Sequence, residues 1–389
     1  MTDVDPAVHR LGEDVTFGRG AVDALPDVVR HSGAQRVLLV CGQRSFEASG
    51  AVRIWSRLTG LAEVERWSDF SPNTDAGDLE QGLAVLHVVD ADLVLGVGGG
   101  STMDMAKLLC AYHHLAPGDA RDAIRAGERI ETRSAHLVLA PTTSGSGSEA
   151  THFAVVYIGD EKFSIAGPAM LPDHVVLDPD LSCSGSPHQR ATSGIDAACQ
   201  AIESLWAAHA TEESRAHARN GLRLVLEHLE RFVTSPDPAS AEGMALGSHL
   251  AGRAINISKT TAAHALSYGI TKRHGVSHGH AVALSLGPFI ELHASASPAD
   301  LQEFVDPEVH ARAMDDVLSA LGSEDGADAR RAFTDLLHRI GLEASLTALG
   351  IEGDSELRRL ASSVNLERLG NNPVVCREHD LQRVLERAG

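Results

Sequence analysis

Asp196 and Gln200 stand four residues apart in the stretch SGIDAACQAIESLW, residues 193–206. That spacing puts two side chains on one face of a helix. Glu203 and Ser204 follow one turn later, and Ser193 and Gly194 are good entry residues, so the stretch reads as the start of a helix. Two readings are open: a metal held by the carboxylate and the amide, or the polar side of an ordinary helix. Two more donors lie in AAHALSYGITKRHGVSHGHAVALSLG. His264 falls in a helical pattern, and His278 follows a glycine-containing turn and opens the next helix. Asp196, Gln200, His264 and His278 together offer a carboxylate oxygen, an amide oxygen and two imidazoles. Such a mixed set suits Fe²⁺ or Zn²⁺ and needs no thiolate. With 21 histidines in the chain, one alone says little; the set carries the information.

A second chemistry is written in glycine. GVGGGSTMDMAK, residues 96–107, places Gly98, Gly99, Gly100 and Ser101 between an apolar run and a helical pattern. Glycine permits a tight turn and close backbone approach, and the helix N-terminus offers N–H groups to a pyrophosphate. A tight turn with no ligand is the plainer reading of that cluster alone. PTTSGSGSEAT, residues 141–151, also follows an apolar run and is dense in hydroxyls, among them Thr142, Thr143, Ser146 and Ser148. Two such loops at the carboxyl ends of two strands mark a nucleotide crevice.

These residues need a scaffold, and the pattern supplies one. Residues 36–41, 91–97, 136–141, 152–157 and 174–178 are short β-branched or apolar runs that read as strands. Helical patterns alternate with them, with 44–60 and 78–88 as examples, until about residue 180. After DPDLSCSGSP the texture changes to long helical patterns with no convincing strand. The expected architecture is an α/β Rossmann-like domain over 1–185 and an all-α domain over 186–389. The first is expected to bind a dinucleotide, the second the metal and substrate.

Bulk properties exclude several functions. A net charge of −20 opposes nucleic acid and anionic membranes at long range. It does not exclude a small anionic substrate, because a few local cations can dominate one pocket. No apolar run reaches the roughly 18 residues of a membrane span. The acidic N-terminus has no apolar stretch, so no secretory leader is expected. Cysteines at 41, 110, 183, 199 and 376 form no CxxC pair, which argues against a disulfide framework and for a reducing cytoplasm.

PNT at 72–74, GVGGGSTMDMAK, PTTSGSGSEAT, and the pair GIDAACQAIES and HALSYGITKRHGVSHGHAVAL together resemble the iron-containing (group III) alcohol dehydrogenase family, nearly end to end. The resemblance implies the dehydroquinate synthase-like two-domain plan, hydride transfer between NAD(P)H and an alcohol/aldehyde pair, a metal acting as Lewis acid, and a homodimer. It carries metal positions onto Asp196, His264 and His278. The fourth family ligand is histidine, and this chain has Gln200, which implies looser binding or another metal preference. The resemblance also assigns Asp104 and Lys162 to the cofactor site. Many relatives carry a further histidine where this chain has Tyr268; Tyr268 or His280 is the expected proton relay, with simple packing of Tyr268 as the other reading. NAD-preferring relatives end their first strand in aspartate, whereas Gly42 stands there here, followed by Gln43 and Arg44. Loss of that carboxylate and the nearby Arg44 favour NADPH over NADH. Beyond the general pattern, the two metal stretches are similar to the subgroup that reduces phosphonoacetaldehyde to 2-hydroxyethylphosphonate, and to dehydrogenases of acidic sugars. Lys272, Arg273 and His274 then become candidates for holding a phosphonate or carboxylate, with a solvated loop as the alternative. The competing functions are oxidation of a polyol or sugar acid, a cyclising lyase, and a nucleotide-binding protein on an inactive scaffold.

Overall fold

The computed structural model describes residues 11, 14–159, 161–364 and 366–389. Most of the acidic N-terminal stretch read above lies outside the described residues. The chain divides into two compact units, Met1–Gly185 and Ser186–Gly389.

The first unit holds strands β1 (Val15–Phe17), β2 (Arg36–Cys41), β3 (Glu63–Trp67), β4 (Leu93–Gly98), β5 (His136–Pro141), β6 (Phe153–Ile158), β7 (Glu161–Ala166) and β8 (His174–Leu177). Its helices are α1 (Leu25–Ser32), α2 (Ser45–Ala48), α3 (Trp55–Thr59), α4 (Ala76–Val89), α5 (Gly100–Tyr112), α6 (Ala120–Ala126) and α7 (Pro179–Ser182). Six strands form one parallel sheet in the order β3-β2-β4-β5-β8-β1. Alternate side chains of each strand leave opposite faces. Leu38, Val40 and Val94 enter the core beneath α4 and α5, while Val37, Leu39, Leu95 and Val97 enter the core with Leu25, Phe46, Ile54 and Leu58. Both faces are covered, which is why these strands read as unbroken apolar runs.

Three expectations change here. The run at 152–157 is a strand, but β6 pairs antiparallel with β7 in a separate two-stranded sheet. Strands β1, β3 and β7 carried no signal: β1 is three residues long, and β3 is an edge strand whose exposed positions are Glu63 and Glu65. The helix expected over 44–60 is interrupted at Gly50, whose φ of 80° no helix accommodates. Short α2, a 3₁₀ turn (Ala51–Ile54) and α3 result.

The second unit contains α8 (Pro187–Trp206), α9 (Glu212–Thr234), α10 (Pro238–Ser258), α11 (Ala262–His274), α12 (His278–Ala294), α13 (Pro307–Ala320), α14 (Gly326–Arg339), α15 (Asp354–Ser362) and α16 (Glu378–Arg387). Its described residues include only one isolated β-bridge, Leu301 with Val374. Residues 193–206 are the later two-thirds of α8 rather than its start. Ser186 caps that helix by accepting from Gln189 N–H, and Pro187 opens it. Gly194 instead sits where a Cβ would lie 2.3 Å from Leu229 Cδ1, so it lets α8 approach α9.

Candidate active site

Every residue of α8 from Gly194 to Trp206 is buried, including Asp196, Gln200 and Glu203. Buried polar groups at i, i+4 and i+7 share one stripe and need partners. Asp196 is only 5% exposed. Its Oδ2 accepts from the Gln200 amide at 3.0 Å. Its Oδ1 lies 3.5 Å from His264 Nε2 and 4.0 Å from His278 Nε2. Ligand atoms of Asp196, His264 and His278 all fall within 4.8 Å of one another. Ligands about 2.1 Å from a tetrahedral ion stand about 3.4 Å apart, so small adjustments bring this trio to a metal.

The protonation pattern of both imidazoles suits a metal. Glu203 accepts from His264 Nδ1, so the Nδ1 proton is committed there. His264 Nε2 is buried and has no hydrogen-bond partner among the described residues. Burial pushes the His264 pKa down, but the Glu203 and Asp196 carboxylates outweigh it and raise it to about 9. A cation is therefore favoured between these acids: a proton in the metal-free protein, or a metal that displaces it. Ser267 gives its hydroxyl proton to the His264 carbonyl at 2.8 Å, so it accepts from His278 Nδ1 at 3.3 Å. His278 thereby also turns Nε2 toward Asp196. Tyr268 stacks on the His278 ring with centroids 5.8 Å apart and planes 7° from parallel. Gly279 permits the approach of α12 to α8: a Cβ there would meet Thr192 O at 2.1 Å and Asp196 Cβ at 2.6 Å.

Gln200 lies against the trio, with a buried Oε1 and its amide N–H given to Asp196. It orients the carboxylate, and its oxygen is the atom left to reach a metal. Gln200→His is expected to tighten Zn²⁺ binding on the order of tenfold, imidazole replacing an amide oxygen. An unchanged Kd in a chelator competition would show that position 200 contributes no ligand atom.

Two expected residues are engaged elsewhere. His280 stands two residues after His278, about 200° around the helix, and bonds through Nε2 to the Glu343 carbonyl at 2.6 Å. Burial lowers its pKa. Its Nε2 is thus engaged by Glu343 rather than by the trio. Arg273 gives Nε and Nη2 to the two Glu356 oxygens at 2.9 and 3.3 Å, and His274 Nε2 lies 3.1 Å from the same carboxylate. The guanidinium fork expected for a substrate anion is closed by Glu356. Lys272 and Arg273 also lie about 12–14 Å along α11 from His264, at 1.5 Å per residue.

In the first unit, the strand order reverses between β2 and β4, and ligands of open α/β sheets bind outside the carboxyl ends at that point. Register brings Cys41 beside Val97 and Gly98 beside Pro141, so the segments starting at Gly42, Gly99 and Thr142 share one edge. Gly98 is required by Thr102, whose Oγ1, Cβ and Cγ2 would lie 2.3, 2.6 and 2.8 Å from a Cβ, while a Cβ on Gly42 would need only the Ser45 hydroxyl to rotate away. A Cβ on Gly100 would meet Ser146 Oγ at 2.9 Å, and one on Gly99 would touch Thr143 Cγ2 at 3.5 Å. The two glycine loops are thus neighbours. Thr142 N–H donates to the Gly98 carbonyl at 2.8 Å, and Ser101 Oγ accepts from Asn73 N–H at 3.1 Å. Arg44 is exposed and forms no ion pair among the described residues.

Asp104 and Ser148 bond to each other at 2.5 Å, and Asp104 also accepts from Val155 N–H at 3.0 Å. Burial raises the Asp104 pKa against the pull of Lys107, of these two hydrogen bonds and of Lys162 on β7. The Asp104–Ser148 pair braces the second loop onto α5. Lys107 does the same. Fully buried, it donates to Thr151 O, Thr151 Oγ1 and Phe153 O at 2.8–2.9 Å. A lysine inside an apolar helical pattern was the available sign. Glu203 and Ser267 were also missed, although i+7 from Asp196 and i+3 from His264 place them on the ligand faces.

Residues 12–179 match the family description "Iron-containing alcohol dehydrogenase", and residues 190–389 match "Fe-containing alcohol dehydrogenase family, C-terminal". The chain is 34% identical over 316 residues to a phosphonoacetaldehyde reductase of Streptomyces viridochromogenes, covering 77% of each. It is 30% identical over 290 residues to a choline dehydrogenase of Bacillus subtilis, covering 73% of this chain and 72% of that one. Among solved structures, a sulfoacetaldehyde reductase from Bifidobacterium kashiwanohense in complex with NAD⁺ superposes with a TM-score of 0.85 at 26% identity, covering 96% of each chain. No helix among the described residues is long and apolar enough to cross a membrane. By sequence over residues 12–179 and 190–389, and by fold, the chain belongs to the iron-containing alcohol dehydrogenase family.

Proposed function

We propose that the protein is a metal- and NAD(P)H-dependent aldehyde reductase for a small anionic aldehyde, with phosphonoacetaldehyde reduced to 2-hydroxyethylphosphonate as the leading case. The observation that carries the metal chemistry is the convergence of buried Asp196 and His264 with half-buried His278, the His264 Nε2 atom lacking any other partner among the described residues. Asp196, His264 and His278 would hold Fe²⁺ or Zn²⁺, with Gln200 beside them. The chemistry such an ion supplies is Lewis-acid polarisation of a carbonyl oxygen. The loops at Gly42, Gly98–Ser101 and Thr142–Ser146 are the proposed cradle for a dinucleotide, whose nicotinamide would supply the hydride. Asp196 brings the negative charge, Gln200 and Glu203 hold the ligands in place, and Tyr268 orients His278. Proton supply to the product falls to the Tyr268 hydroxyl or to water, since His280 is tied to Glu343. Exposed Arg44 at the end of β2 supports recognition of a 2′-phosphate and therefore NADPH.

The anionic substrate class is supported by relatives named for phosphonoacetaldehyde and sulfoacetaldehyde. A second reading has its own support. Glu356 already pairs with Arg273, and one relative is named a choline dehydrogenase, so oxidation of an uncharged or cationic alcohol is the alternative.

The test is cofactor oxidation by metal-stripped enzyme, with and without added Fe²⁺ or Zn²⁺. Phosphonoacetaldehyde is compared with propanal, and NADPH with NADH. A charge-assisted contact of about 1.5–3 kcal/mol predicts kcat/KM about 10–100-fold higher for the phosphonate. The same factor is expected for NADPH over NADH. Equal use of propanal would sink the anionic assignment and direct the search to alcohol oxidation.

A further inference from the structure

We infer that Glu203 is the positioning residue that keeps a proton on His264 Nδ1 and so reserves Nε2 for the metal. The inference rests on the metal reading proposed above. Glu203 is fully buried at the i+7 position of the Asp196 stripe. It receives five hydrogen bonds. Oε1 accepts from Thr261 N–H, Thr261 Oγ1, Ala263 N–H and His264 N–H at 3.2, 2.7, 3.1 and 3.3 Å. Oε2 accepts from His264 Nδ1. The Thr261 hydroxyl has one proton and accepts from Trp206 Nε1 at 3.0 Å, so that proton points to Glu203.

Glu203 therefore does two things with one carboxylate. It takes the open N–H groups of the first turn of α11, which has no side-chain cap of its own, and so fixes that helix end to α8. It also holds the imidazole by its far nitrogen. A carboxylate behind a metal-binding histidine sets which nitrogen carries the proton and where the ring points.

Among the described residues, every group bonded to the Glu203 carboxylate is a donor, which makes the carboxylate readable by isosteric exchange. In Glu203→Gln the amide oxygen stays where four donors converge. The amide NH₂ then faces His264 Nδ1. Two N–H groups cannot share that position, so the ring gives up its Nδ1 proton, keeps the proton on Nε2 and presents N–H toward Asp196. The shape of the site survives while the ligand atom is blocked.

The experiment is ¹⁵N-histidine NMR of the full chain beside a Zn²⁺ competition titration. In the wild type an Nδ1–H signal of His264 is expected with and without Zn²⁺. In Glu203→Gln that signal is expected to vanish, and Zn²⁺ affinity to fall 10–100-fold. Thr261→Val removes one donor and keeps the carboxylate, so it should keep the Nδ1–H signal even if it melts earlier. A wild type without a proton on Nδ1 overturns the inference, whether or not the variant folds. So does a folded Glu203→Gln that binds Zn²⁺ as tightly as the wild type. A wild type that shows the Nδ1–H signal and binds no Zn²⁺ would instead refute the metal reading and leave the proton placement standing.

Discussion

Asp196→Ala is expected to empty the site of metal and to lower turnover by at least about a thousandfold. Lewis-acid stabilisation is worth several kcal/mol, and each 1.4 kcal/mol is a factor of ten. Asp196 is the one anionic member of the proposed set; His264, His278 and Gln200 contribute neutral atoms. Its two oxygens also have separate duties, Oδ2 orienting Gln200 and Oδ1 facing both imidazoles. Alanine removes the charge and both contacts together. Metal content per chain and kcat should fall in step, while circular dichroism stays that of a helical protein. Near-normal turnover in metal-stripped Asp196→Ala would refute the metal mechanism outright.

A single methyl group at Gly279 should damage the site from outside the ligand set. The Cβ of an alanine would lie 2.1 Å from the Thr192 carbonyl oxygen and 2.6 Å from Asp196 Cβ. Neither is the movable tip of a long side chain, so α12 must withdraw from α8. Overpacking of this kind costs about 1–3 kcal/mol, sometimes more, and 3 kcal/mol lowers the melting temperature of a unit this size by roughly 6–12 °C. His278 is the neighbouring residue and moves with the helix. A site that tolerates only about 0.5 Å of misplacement should then lose at least about tenfold in metal affinity. A Gly279→Ala protein with wild-type melting temperature and Zn²⁺ affinity would show that the α8–α12 approach is not what sets the trio.

Both expectations rest on contacts that differ in how far they could be foreseen. The stripe of Asp196, Gln200 and Glu203 is legible because helical periodicity is local: residues i, i+4 and i+7 share a face whatever surrounds them. The glycine loops are legible for a similar reason, since a strand that ends in several glycines before a helix restricts its own geometry. The fully buried parallel strands show as apolar runs, whereas β1, β3 and β7 are too short or too polar to stand out.

The sequence by itself therefore determined the alternation of strands and helices in the first half, the helical second half, the glycine loops at the strand ends and which residues to consider as a metal set. Only the tertiary structure decided what each polar side chain faces. Glu203 meets His264 across 61 residues, Arg273 meets Glu356 across 83, and His280 meets the Glu343 carbonyl across 63. The first contact joins an unassigned glutamate to the proposed metal set. The other two engage the residues expected as an anion contact and a proton relay with partners of their own. The physical reason is common to all three: a chain's local pattern sets which face of a helix is polar, but partners on that face come from elements that only packing brings near.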